Sequence, residues 1–181
     1  NKNDHLFSII RNHDLYKVLE KDLSKNKYFK KYIVKKGNLS FINNYDFIIN
    51  CDYTHKITKK YFNKKIVKEY NSLAYTSIIT HKKILNNIAI QIFTKFGPLA
   101  FLPISNYETS VVYSFYNANH QKDENIKQLL KDKNFKYKIT SIEKIDRFEL
   151  KSLNLRSYYY KNILAFGDLL HKVHPLAGQG F

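Results

Sequence analysis

Between Asp14 and Lys25, Leu15, Val18, Leu19 and Leu23 recur three and four residues apart, with Lys17, Glu20, Lys21 and Asp22 between them. That spacing predicts an amphipathic helix whose apolar stripe belongs to a core. Tyr28 to Val34 and Leu39 to Ile42 flank Gly37-Asn38, which predicts two short strands around a tight turn. Asp46 to Asn50 is a brief apolar run of the kind found in a buried parallel strand, and it leads directly into Cys51-Asp52.

From Ser72 onward the texture changes. Ala74 to Thr80, Ile88 to Phe96, Leu99 to Ile104 and Ser110 to Tyr116 are rich in β-branched and aromatic residues, and Asn86-Asn87 and Asn106-Tyr107-Glu108 supply turn chemistry between them. This succession predicts an antiparallel sheet. A second helix is expected over Lys122 to Lys133, with Ile126, Leu129 and Leu130 on its apolar face. Lys136 to Leu155 returns to strand-like patterns, and Asn162 to Phe166 reads as a buried strand ended by Gly167-Asp168. The chain carries no internal repeat and no low-complexity linker.

Composition narrows the classes. With 181 residues, 44% hydrophobic and 25% charged, the chain can bury a sizeable core and is not of disordered type. Methionine is absent even at position 1, and the chain stops at Phe181 just after a glycine-rich loop, so both ends are expected to be internal to a longer protein. No apolar run approaches a membrane span, and Asn1 does not open a signal peptide. The single cysteine, Cys51, excludes an internal disulfide and a thiolate cluster, and at a strand end it is expected to be half-buried and inert. The formal charge of +16 raises a nucleic-acid or membrane-surface binding module as an alternative class. Its lysines read as dispersed, arginines are few, and no recognition motif accompanies them, so the charge is expected to be compositional and no nucleic-acid partner is expected.

The chemistry concentrates in the last fifteen residues, Gly167-Asp168-Leu169-Leu170-His171-Lys172-Val173-His174-Pro175-Leu176-Ala177-Gly178-Gln179-Gly180-Phe181. A carboxylate at the carboxyl end of a buried strand can accept hydrogen bonds from sugar-alcohol hydroxyls, and Gly167 lets a ligand approach the backbone. Pro175 stiffens the loop, while Gly178 and Gly180 free backbone N–H groups to face an anion where a following helix would begin. His171 and His174 lack the cysteines or carboxylates that would complete a metal site, so no metal is expected.

This loop resembles the Gly-Asp-x-x-His-x-x-His-Pro-x-x-Gly-Gln-Gly signature of FAD-dependent aromatic hydroxylases, especially the polyprenyl-phenol hydroxylases of ubiquinone synthesis. The resemblance implies that FAD is contacted by Gly167, Asp168, Pro175, Gly178, Gln179 and Gly180. Phe96 to Ile104 is similar to the Gly-Pro-x-Ala-x-Leu-Pro strand of the same enzymes, which implies substrate contacts at Gly97, Pro98 and Leu99. Arg11 to Leu19 resembles their arginine-containing helix opening, with either Arg11 or Asn12 at the basic position bordering the cofactor.

One segment departs. Where the family has Ala-Asp-Gly-x-x-Ser, associated with FAD and reduced nicotinamide, this chain has Cys51-Asp52-Tyr53-Thr54-His55-Lys56. Tyr53 and Lys56 replace the glycine and serine, which bears on NAD(P)H as reductant and on turnover, so a degenerate FAD-binding relative is a second alternative.

The resemblance implies an α/β protein. A partial Rossmann-like FAD-binding domain (1–52 and 156–181), its glycine fingerprint upstream, would hold an inserted antiparallel-sheet substrate domain (53–155). It further implies an FAD-dependent monooxygenase that uses NAD(P)H and molecular oxygen to hydroxylate a lipid-like polyprenylated phenol, the fragment alone being inactive. A cytoplasmic location, peripheral on the inner membrane face, and a complex with other ubiquinone-synthesis proteins would go with it. No residue is singled out as catalytic, because the flavin carries the redox chemistry.

Overall fold

The computed structural model describes residues 8–33, 39–116 and 122–172; the side chains of Phe41, His171 and Lys172 are not described. The chain forms two compact units, one of residues 1–30 and 71–149, the other of residues 31–70 and 150–181. Two long strands, β2 (Lys65–His81) and β7 (Asp146–Leu155), each begin in one unit and end in the other.

The first unit is built on the antiparallel sheet that the β-branched runs predict. Its strands besides β2 are β3 (Ile90–Thr94), β4 (Gly97–Pro103), β5 (Glu108–Tyr116) and β6 (Ile139–Ile142). The second half of β2 pairs with β5 from Ser72↔Tyr116 to Thr80↔Glu108 and with β6 at Ile79↔Ile142. Strand β4 lies between β5 and β3, in register at Leu99↔Tyr113 and Ile92↔Leu99. Alternation decides the faces: Leu99 and Phe101 on β4, Val111 and Tyr113 on β5, and Tyr75 and Ile79 on β2 all enter one core. Helix α3 (Asp123–Lys133) adds Ile126 and Leu130 to that core. Its first turn carries Asp123 and Glu124 and its last Lys131 and Lys133, complementing the helix dipole.

Helix α1 (Asn12–Leu23) forms where the periodicity places it, but none of its residues is buried and Val18 is 59% exposed. The expected core role of its stripe is therefore corrected. Periodicity fixes which side chains share a face and does not supply a surface to cover them.

A directed polar network crosses the core. His81, 2% exposed, places Nδ1 2.9 Å from the Lys82 carbonyl and Nε2 3.0 Å from Thr109 Oγ1. A carbonyl only accepts, so in the neutral ring Nδ1 carries the proton and Nε2 accepts from the Thr109 hydroxyl. Thr109 Oγ1 in turn accepts from Asn86 Nδ2 at 2.9 Å, and the Tyr137 hydroxyl donates to Asn86 Oδ1 at 3.3 Å. Burial pushes the Tyr137 phenol above its ordinary pKa, with Thr109 opposing. Thr109→Val keeps the shape and removes a hydroxyl that both donates and accepts. A loss of about 1–3 kcal/mol is expected, seen as a lower urea midpoint at constant m-value; an unshifted midpoint contradicts the network.

In the second unit, β1 (Ile48–Asn50) pairs in parallel with β9 (Ile163–Ala165), and β8 (Tyr159–Tyr160) pairs antiparallel with β9. Ile57, Phe62, Leu155, Ile163, Ala165 and Leu169 form its core. The parallel strand is where the apolar run predicts it, but only one face is covered among the described residues, since Ile49 is 56% exposed. A short helix, α2 (Lys56–Tyr61), and the start of β2 at Lys65 were not expected from the sequence.

Among the described residues, neither strand of the predicted hairpin forms. Residues 28–33 form no strand, because the Asn26 side chain accepts from Tyr28 N at 3.0 Å and its carbonyl from Phe29 N at 3.0 Å, which folds the chain into a local turn. Leu39 to Ile42 enters a 3₁₀ helix (Ser40–Asn44) that Asn162 Nδ2 holds through the carbonyls of Ile42 and Tyr45 at 3.3 and 2.7 Å. Gly37-Asn38 lies outside the described residues.

Candidate functional site

Parallel pairing places the carboxyl ends of β1 and β9 side by side, with Asn50 opposite Ala165 and Phe166 N donating to Asn50 O at 3.0 Å. Two chain segments therefore leave the same edge: Cys51-Asp52 after β1 and Gly167-Asp168 after β9. The carboxyl edge of parallel strands is where open α/β sheets receive ligands.

The β1–α2 loop closes on itself. Buried Asn50 donates from Nδ2 to Thr58 Oγ1 at 2.7 Å, and Thr58 Oγ1 donates to the Asp52 carbonyl at 2.5 Å. Asp52 Oδ1 accepts from Thr54 N and Thr54 Oγ1, both at 2.7 Å. The Thr54 hydroxyl, then the Thr54 amide, hold the Asp52 carboxyl below the usual carboxylate pKa. His55 caps α2, its Nδ1 accepting from Ile57 N at 3.2 Å. The only described non-glycine residues at positive φ are Asn71 and Lys161, so this loop runs through Tyr53 without the left-handed backbone that would call for glycine. Tyr53 and Lys56 are exposed. Cys51 is exposed as well, which corrects the expected half-burial: β1 ends at Asn50, and the cysteine falls in the loop.

The opposite lip is a single 3₁₀ turn, Gly167–Leu169. Buried Leu169 anchors it in the core of its unit, and Leu170 N bonds to the Gly167 carbonyl at 2.9 Å. Gly167 has φ +65°, and nothing lies within 4 Å of where a Cβ would stand, so the backbone there is left-handed and open. Asp168 is exposed, and no hydrogen bond among the described residues engages its carboxylate. His171 and Lys172 continue as the short strand β10, His171 opposite Asn154 of β7. His174, Pro175, Gly178, Gln179 and Gly180 lie outside the described residues. Among the described residues no three His, Cys, Asp or Glu side chains gather as metal ligands.

The remaining candidates sit in the first unit. Arg11 precedes α1 and pairs through Nη2 with Glu108 Oε1 at 2.7 Å, both side chains about one-third exposed. Gly97, Pro98 and Leu99 open β4, where Gly97 is buried against the β5 backbone at Ser114 and the fully buried Leu99 points into the core. Only Pro98 of the three faces the other side of the sheet, in register with Phe93. Ala100, a specified position of the Gly-Pro-x-Ala-x-Leu-Pro strand, pairs with Val112 on that half-buried face; neither was among the expected substrate contacts.

Comparison with known proteins shows the fold. No protein-family signature matches the chain, and no curated protein sequence does. Solved structures align with it: CmlS, a flavin-dependent halogenase (TM-score 0.58, 17% identity, 74% of this chain and 27% of that one); CabE, an aromatic hydroxylase from angucycline biosynthesis (TM-score 0.54, 15% identity, 74% and 29%); and OxyS anhydrotetracycline hydroxylase from Streptomyces rimosus (TM-score 0.52, 15% identity, 74% and 28%). The chain thus has the mixed α/β, antiparallel-sheet architecture of the aromatic-hydroxylase fold. It spans 27–29% of the length of these three solved structures.

Proposed function

We propose that this chain is part of a flavin-dependent monooxygenase that hydroxylates an aromatic ring, and that Gly167-Asp168 is its contact to FAD. The observation that carries the reading is the open, left-handed Gly167 with an exposed carboxylate beside it, at the carboxyl edge of a parallel strand pair. Those residues fit the cofactor's polyol chain. The glycine leaves room for close approach, and the carboxylate offers acceptors that no described donor has taken. The fold likeness to flavin-dependent halogenases and aromatic hydroxylases and the signature beginning at Gly167 support the same reading.

When bound, FAD would supply the redox chemistry, with a nicotinamide as electron donor and molecular oxygen as the source of the oxygen atom added to the ring and of the water released. The chain's own work is positional. Asp168 grips hydroxyls of the cofactor, and Leu169, locked in the core, fixes the turn that presents it. The half-buried face of β4 and β5 at Pro98, Ala100 and Val112 offers a dry, apolar surface to an aromatic substrate. A polyprenylated phenol of ubiquinone synthesis is the substrate that the signature at Gly167 to Gly180 favours, with NAD(P)H as electron source.

A second reading, a flavin-binding relative without turnover, is favoured by the β1–α2 loop. There Asp52 is turned onto Thr54, and Tyr53 stands where the related enzymes have glycine. Two measurements on the protein that carries this chain separate the readings. Asp168→Ala is expected to weaken FAD binding about tenfold to a hundredfold, from loss of a charge-assisted hydrogen bond; undiminished flavin retention after gel filtration removes Asp168 from the site. Flavin-dependent oxidation of NAD(P)H distinguishes an enzyme from a binding relative.

A further inference from the structure

Buried polar side chains in a folded protein have hydrogen-bond partners, and Asn50, Thr58, Ser77, His81, Asn86 and Thr109 all do; Ser77 Oγ, for instance, donates to the Glu143 carbonyl at 3.0 Å. Ser114 on β5 departs from this rule. It is 9% exposed, and among the described residues no hydrogen bond engages its hydroxyl. Burying a hydroxyl without a partner is unfavourable, so the group calls for a reason. Alternation puts Ser114 on the face opposite Tyr113 and Phe115, which enter the core. Ala74 of β2 stands beside it in register. On its other side is Pro98 of β4, because Leu99 pairs with Tyr113 and Tyr116 N donates to the Phe96 carbonyl at 2.8 Å. Neither neighbouring side chain can donate or accept. Ala100 and Val112, the next pair along, continue the face with small apolar groups. Residues 72–80, 90–94, 97–103 and 109–116 hold no charged residue, although the chain has 31 lysines and arginines and 15 aspartates and glutamates.

We infer that Ser114 determines which aromatic ring this face accepts, its hydroxyl bonding the hydroxyl of a neutral phenol. The inference rests on the reading of the β4 and β5 face as the surface for an aromatic substrate and deepens it. A serine hydroxyl and a phenol each donate and accept, so the two satisfy one another. The ring itself meets Pro98, Ala100 and Val112, which are small and apolar. A ring carboxylate fits less well. It brings a charge onto strands that offer no lysine or arginine, and one neutral hydroxyl does not offset the loss of its hydration. Glu108, six residues along β5, is itself already matched with Arg11 at 2.7 Å. A ring without oxygen leaves Ser114 as unsatisfied as before, and a site built around a hydrogen bond discriminates against the analogue that lacks it.

The test is calorimetric titration of the protein that carries this chain with 4-methylphenol, methylbenzene and 4-methylbenzoate, which differ at one ring position. The phenol is expected to bind about threefold to tenfold more tightly than methylbenzene, and the benzoate more weakly than either. Ser114→Ala is expected to abolish the phenol's advantage while methylbenzene binding changes by less than about twofold. Ser110→Ala, on the same strand and face but half-buried, is expected to leave the advantage intact. Because the Ser114 hydroxyl has no partner to lose, Ser114→Ala is also expected to keep or raise the urea midpoint; a clearly lowered midpoint would mean that the hydroxyl is already bonded, and overturns the inference. So does a phenol advantage that survives in Ser114→Ala, a benzoate that binds best, or no binding of any of the three. If the variant does not fold, the three ligands on the unmodified protein carry the test, and equal affinities overturn it. Flavin retention is measured on the same samples. Bound flavin with a phenol advantage indifferent to Ser114 removes this inference and leaves the flavin reading, whereas an advantage lost in Ser114→Ala without bound flavin does the reverse.

Discussion

Gly97→Ala is expected to destabilise the first unit by about 2–6 kcal/mol, combining about 1–3 for a non-glycine residue held at an unfavourable φ with about 1–3 for overpacking. Gly97 has φ +137°, a conformation that side chains rarely adopt, and its added Cβ would collide with the Ser114 carbonyl oxygen. Relief is blocked on every side. Ser114 belongs to β5, which is paired on both edges, and Tyr116 N bonds to the Phe96 carbonyl at 2.8 Å directly beside the glycine. Thr94 closes the β3–β4 turn by donating from Oγ1 to the Gly97 carbonyl at 2.8 Å. Domains of this size have stabilities of about 5–15 kcal/mol, so such a loss removes a large part of the total. Urea unfolding of the chain followed by circular dichroism measures it. A midpoint within error of the unmodified chain would mean that β4 can leave β5 at no cost, contrary to the register above.

Tyr113→Ala is expected to lose about 3–5 kcal/mol, in the range for deleting a buried aromatic side chain. Tyr113 is fully buried at the centre of β5, opposite Tyr75 on β2 and Leu99 on β4. Its ring meets Phe115 edge-on at 5.1 Å, and its hydroxyl lies 2.9 Å from Thr94 Oγ1. Tyr113→Phe keeps the ring and removes only the hydroxyl, for an expected loss of about 1 kcal/mol. The gap between the two variants apportions packing against hydrogen bonding, and equal losses would contradict a ring-filled core.

The antiparallel sheet was legible because its runs of β-branched residues are long and its burial follows a period of two. Leu99 and Phe101 on β4, and Val111 and Tyr113 on β5, are buried as alternation requires. Helix α3 was legible for the corresponding reason, with Ile126 and Leu130 one turn apart on the buried face. The segment before β1 was not. Asn26 diverts the chain through its own side chain, and Asn162, more than a hundred residues away in sequence, holds the Ser40–Asn44 helix; neither contact leaves a periodic trace. The β1–α2 loop was equally hidden, since the partners of Asn50 and Asp52 are threonines whose roles depend on a helix of only six residues.

For the candidate site, the sequence by itself determined the residue types: a glycine followed by a carboxylate after a short apolar strand, within a signature similar to that of flavin-dependent hydroxylases. The tertiary structure decided three further matters. It paired β1 with β9 in parallel, which brings Cys51-Asp52 and Gly167-Asp168 to one edge although they are more than a hundred residues apart in the chain. It turned Leu99 into the core and left Pro98 and Ala100 on the other face, a choice that depends on strand register, since a slip of one residue would exchange the two faces. It also brought Lys60 and Lys161, a hundred residues apart in the chain, over one stacked pair of tyrosines, Tyr61 and Tyr160. Charge is a local property of sequence, but a charged face exists only once packing brings separate segments together.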